Sequence, residues 1–174
     1  MYTHWFPIVP IQMPYRLFHP RYPLATTSAV KSSFFSRETP ISHVKVFERL
    51  LAPYESLMWP FQMIMPVGRA ADILKGVSGW WEKGKGRAKT CLLVVAGEKD
   101  VLCRPRILEA LAGWYRGALK EGYPSSSANR DAAEREAEEG VRFRVVKGVA
   151  HHMQNEVEWE KGAEEILRWL KELQ

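Results

Sequence analysis

Leu92-Leu93-Val94-Val95-Ala96-Gly97-Glu98-Lys99-Asp100 is the stretch on which the reading of this chain turns. An unbroken apolar run ending in glycine has the pattern of a strand buried on both faces, as in a parallel sheet. Asp100 then falls in the loop at the carboxyl end of that strand, where open α/β sheets gather ligands and catalytic groups. A second strand, Val141-Arg142-Phe143-Arg144-Val145-Val146, runs through Lys147-Gly148-Val149-Ala150 into His151-His152. Arg142 and Arg144 alternate with apolar residues, so one face of this strand is wet or the strand lies near an edge. A helix is expected between the strands, starting near Pro105, ending near Gly122, and burying Ile107, Leu108, Leu111, Trp114 and Tyr115. Strand, helix and strand in that order predict an α/β fold with the strands parallel.

The chain has 174 residues and a formal charge of +5, enough for one domain with one core. Met1 to Ser36 contains no acid, and Asp131 to Glu139 is mostly acidic. Arg16, Arg21 and Lys31 are too sparse to make the clustered basic stripe of a nucleic-acid binder, so no nucleic acid is expected as a partner. The only cysteines, Cys91 and Cys103, do not make a disulfide framework, and an intracellular, cytoplasmic setting is the expectation. No apolar run approaches the roughly 18 residues of a membrane span. Pro7, Pro10 and Pro14 break any signal-like apolar core and any amphipathic targeting helix near the start.

Met1 to Leu24 is rich in proline and aromatics and is expected to be an irregular segment packed across a surface. Ala25 to Ser36 predicts a short helix. A second helix follows, with Thr39 as cap, Pro40 in the first turn, and Val44, Phe47, Leu50 and Leu51 on one face. A Met-rich helix from Tyr54 to Met65 reads either as plain core or as a cover for an apolar substrate. Arg69 to Gly76 predicts another helical turn or two. The run through Trp80-Trp81 and Gly84 to Arg87 is a connector, and residues 123–140 form a polar insertion. The last helix, Val157 to Leu173, is expected to turn Ala163, Ile166, Leu167, Leu170 and Leu173 inward, with Trp159 and Trp169 as packing residues.

An acid and a histidine on neighbouring strand-end loops make half of a proton relay. The carboxylate fixes one ring nitrogen and stabilises the imidazolium formed when the other takes a proton. Gly97-Glu98-Lys99-Asp100 and Gly148-Val149-Ala150-His151, each after an apolar strand, resemble the C-terminal part of an α/β-hydrolase. The similarity is closest to fungal proteins of the alpha/beta hydrolase 1 type, which carry a helical cap. It implies a partial α/β-hydrolase fold. Residues 1–87 would be the N-terminal segment and the helical cap or lid. Residues 88–174 would be the last two parallel strands with flanking helices. It also implies Asp100 as the triad acid, His151 as the base, and His152 as a supporting or structural residue. The activity implied is serine-hydrolase-like cleavage of ester or related bonds in small apolar substrates, with no cofactor and no metal.

The nucleophile is the departure. The string closest to Gly-x-Ser-x-Gly is Gly76-Val77-Ser78-Gly79-Trp80, with Trp80 where the second glycine belongs and a helical stretch where a strand is required. No Gly-rich oxyanion segment is found either. Other readings of the same residues stand beside this one. Apart from the resemblance, Asp100 reads first as a turn former or helix cap. His151 and His152 with Cys103 and Asp100 match no compact zinc spacing. Cys103 is read as structural or incidental. The alternative for the whole chain is a non-catalytic, truncated remnant or pseudoenzyme. Such a protein would associate through an unpaired sheet edge and the aromatic N-terminal segment.

Overall fold

A computed structural model describes residues 24–52, 68–76, 92–122, 138 and 140–173. The Met1–Pro23 segment, the Met-rich 54–65 stretch, Ser78, the Trp80-Trp81 connector, Cys91 and most of the 123–140 insertion lie outside the described residues. The elements are α1 (Thr27–Phe34), α2 (Ile41–Glu48), α3 (Ala70–Lys75), β1 (Leu92–Gly97), α4 (Pro105–Gly122), β2 (Val141–Val146) and α5 (Trp159–Glu172). A 3-10 turn at Met153–Asn155 precedes α5. Among the described residues β1 and β2 pair as a two-stranded parallel sheet, so the chain is α/β.

The chain divides into two compact units. The first holds described residues 24–52, 97–104 and 147–159. Thr26 caps α1 by accepting the Ala29 N–H at 3.1 Å, which satisfies one of the donors left over at a helix start. Val30 of α1 and Val44 and Phe47 of α2 meet Leu24 and Phe35 in a small core, with Phe34 and Leu51 against it. Phe35 and Phe47 pack edge to face at 5.1 Å, the arrangement that ring quadrupoles favour. The Thr27 hydroxyl donates to Glu48 at 2.7 Å and ties the two helices together. Thr39 does not cap α2, contrary to the sequence expectation. Pro40 occupies the cap position with no side-chain bond, because the Thr39 hydroxyl donates to the buried carboxylate of Glu156 at 2.5 Å. Leu50 lies past the end of α2 and is exposed rather than buried.

The second unit holds α3, most of β1, α4, β2 and α5. Pro105 opens α4, where a missing N–H costs nothing. Helix α4 packs on α3 and β2. Leu74, Val94, Ala112, Leu119 and Val141 form the core, flanked by Leu92, Leu108, Tyr115, Ala118 and Phe143. Arg116 of α4 donates to the Val141 carbonyl through Nε and Nη2, at 3.1 and 2.9 Å. Trp114, expected inside, is exposed, because Ala112 and Leu119 take the inward positions of α4.

Helix α5 departs most from expectation. Ile166, Leu167 and Leu170 are about half exposed, and Ala163 is exposed as well. Gly162 is buried, and Glu165, Trp169 and Glu172 are partly covered. Arg142 meets Glu172 at 3.3 Å, and Arg144 meets Glu165 and Glu172 at 3.7 and 3.6 Å. The acidic side of α5 thus meets the arginine face of β2, and its leucines face outward. Trp159, expected to pack, is also half exposed.

Candidate active site

Every residue of the site belongs to the first unit. Two loops form it, one following β1 and one following β2, and backbone bonds zip them together. The Lys99 N–H donates to the Val149 carbonyl at 2.9 Å, and the Gly148 N–H donates to Glu98 at 2.9 Å. Gly148 has φ 83°, a left-handed value that glycine adopts without a steric penalty. Gly97 lies flush against the second loop. A Cβ there would collide with the Ala150 carbonyl oxygen and sit 2.7 Å from that of Val149. The two glycines therefore set how closely the acid loop approaches the histidine loop.

That closeness brings together the two residues singled out in the sequence. The His151 Nδ1–H donates to Asp100 Oδ2 at 2.9 Å. Asp100 is buried, and its Oδ1 accepts the N–H groups of Leu102 and Cys103, each at 2.8 Å. The carboxylate thus closes its own loop into a turn while its second oxygen fixes the imidazole. One carboxylate oxygen closes the turn and the other bonds the imidazole, so the two contacts do not compete. His151 is pushed up from 6.5 to about 9, chiefly by the hydrogen bond to Asp100 and next by one to Cys103, with burial working against them.

Cys103 was read as structural or incidental in the sequence, and the turn brings it into the site. It is a free, partly exposed thiol. Its Sγ, a His151 ring nitrogen and an Asp100 oxygen all lie within 4.8 Å of one another. The sequence signal was the spacing Asp-x-x-Cys, which places the thiol at the closing position of an Asx-type turn. The same three donors, sulfur, nitrogen and oxygen, are of the types that bind zinc, although the sequence expectation was no metal. Asp100 and His151 already bond each other directly, so a metal would have to displace the proton between them.

His152 faces away from this chemistry. Its ring contacts Phe34, Phe35 and Phe47 at 5.8, 6.3 and 4.5 Å, its N–H donates to the Phe34 carbonyl at 2.9 Å, and Asn155 Nδ2 donates to its Nδ1 at 2.8 Å. Burial, and after it the charge on His151, pushes its pKa down. Phe34 also stacks on His151, with ring centres 5.8 Å apart, and gives the site an apolar wall.

Glu156 was not found from the sequence, because an acid ahead of a helix reads as solvent-facing. It is buried, and its carboxylate accepts from the Ser36 N–H at 2.6 Å, the Ser36 hydroxyl at 3.0 Å, the Thr39 hydroxyl and the Ala150 N–H at 3.0 Å. The residue before His151 is thereby pinned to the turn between α1 and α2. No family profile matches this chain, no curated protein matches it, and no solved structure matches it.

Proposed function

We propose that this chain carries the acid and base of a hydrolase of the α/β-hydrolase type, acting on ester or related bonds of small apolar substrates. Asp100 orients His151 through Nδ1, which leaves Nε2 to exchange protons with the reacting groups. The observation that carries this reading is the 2.9 Å bond from His151 to a buried carboxylate that two backbone N–H groups hold in place. A strand, an acid loop, a helix, a second strand and a histidine loop follow in the order that such hydrolases use. Phe34 beside the imidazole suits an apolar acyl group.

The test is hydrolysis of p-nitrophenyl acetate and butyrate by the purified chain. Turnover is expected above the uncatalysed rate and is expected to fall by ~100-fold or more in His151→Ala and in Asp100→Asn. Equal rates in the wild type and both variants would overturn the reading. The outward leucines of α5 favour a second reading, in which the chain acts without catalysis by associating with another chain. Absence of turnover together with concentration-dependent association would support it.

A further inference from the structure

We infer that Cys103 is the nucleophile of this site, so that the reacting group, its proton carrier and the orienting acid all come from the two loops of one unit. The inference rests on the hydrolase reading above and adds the residue that it lacks.

Three observations carry it. The thiol is free and partly exposed, and its Sγ is within 4.8 Å of both Asp100 and His151. Its backbone is fixed, because the Cys103 N–H is bound to the same carboxylate that holds His151. The third observation is the contact between the two side chains: a hydrogen bond between Cys103 and His151 raises the histidine's pKa, after the larger effect of Asp100. An imidazole bonded to a thiol can take its proton as the sulfur attacks and later give it to the leaving group.

The reaction closes on these groups. The Cys103 thiol gives its proton to His151 as the sulfur attacks the ester carbonyl carbon, and a C–S bond forms. The tetrahedral oxyanion collapses, the C–O bond to the alcohol breaks, and the His151 imidazolium gives its proton to the departing alkoxide. Water then attacks the thioester and gives a proton to the neutral imidazole. The C–S bond breaks, the imidazolium returns its proton to the sulfur, and the carboxylic acid leaves with thiol and imidazole restored. The net change is ester plus water to acid plus alcohol, with no oxidant, reductant or metal.

The experiment is intact-mass and peptide-mass spectrometry of the full chain, with chelator present, during turnover of p-nitrophenyl acetate. One hydroxylamine-labile acetyl group is expected on Cys103, in excess over Cys91, and it should disappear as substrate is exhausted. Cys103→Ala should lose both the adduct and ~100-fold or more of the turnover. Cys103→Ser, which preserves shape and so controls for folding, should fall as far, because a hydroxyl is a much weaker acid and nucleophile than a thiol. Turnover retained in Cys103→Ala but lost in His151→Ala would overturn Cys103 as nucleophile and leave the hydrolase reading standing. A stoichiometric fluorophosphonate adduct on a serine would do the same. No turnover and equal acetylation of both cysteines would overturn both.

Discussion

The proton on His151 is shared with a buried acid, and this has a thermodynamic consequence. The ordinary value for the group is 6.5, and in the fold it is raised to about 9. A group with a raised value adds stability that is fully present below the unfolded value and is lost as pH climbs through the folded one. The melting temperature of the wild type should therefore fall between pH 6.5 and about 9, and the fall should flatten in Asp100→Asn. An NMR titration of the His151 ring should show its midpoint moving down toward 6.5 in that variant. An unchanged midpoint would mean that Asp100 is not what raises it. His152 works in the opposite sense: its value is lowered, so the stability linked to it is lost as pH falls below 6.5. For these two groups taken together, the linked stability is greatest near pH 6.5, where neither loss has set in.

At the scale of elements, what holds the site is the joining of loops rather than the strands alone. Glu156→Ala would leave the Ser36 and Ala150 N–H groups and the Ser36 and Thr39 hydroxyls without their shared acceptor. A loss of at least ~3 kcal/mol is expected in urea denaturation, since each buried donor left unpaired costs about 1–3 kcal/mol. Gly97→Ala should cost about 1–3 kcal/mol by forcing the new methyl into the Val149–Ala150 backbone, and should lower esterase turnover as the acid loop is pushed from the histidine loop. Turnover unchanged in a stable Gly97→Ala chain would show that the loop spacing is not critical.

The sequence made some of this legible and hid the rest for identifiable reasons. Both strands could be read, because an apolar run bounded by glycine has few other structures to adopt. Asp100 and His151 could be read, because each follows such a strand directly. Cys103 could not, because its proximity depends on which backbone groups Asp100 binds. Thr39 and Glu156 could not, because a hydroxyl before a proline and an acid before a helix usually find partners nearby in sequence. Here they find each other across most of the chain. The facing of α5 was misread because periodicity shows that a helix has two faces, while the side turned inward depends on what the neighbouring strand offers.

At the scale of the molecule, the described surface carries apolar side chains on several elements, including Val46 and Leu50 in one unit and Ile166, Leu167 and Leu170 in the other. The α5 row is the most regular, at helical spacing on one face. Leu167→Glu is expected to reduce binding of a hydrophobic dye and to lower light scattering at high protein concentration, with the melting temperature little changed, because the side chain is 52% exposed. A large drop in melting temperature would mean that the residue is buried in solution.

The arginine and glutamate pairs between β2 and α5 make ionic strength an unusual variable for this unit. Salt ordinarily opposes itself in a protein: it screens charge pairs and strengthens apolar association. In most folds those effects fall on different elements and partly cancel in the balance of stability. Here both bear on one helix, and they do so unequally. Arg142 Nε, Glu165 Oε2 and Glu172 Oε2 are buried, so salt screens that side weakly, while the leucine side meets water directly. A sulfate titration should therefore precipitate the protein before it releases α5, whereas glutamine at positions 165 and 172 should loosen the helix at any salt concentration.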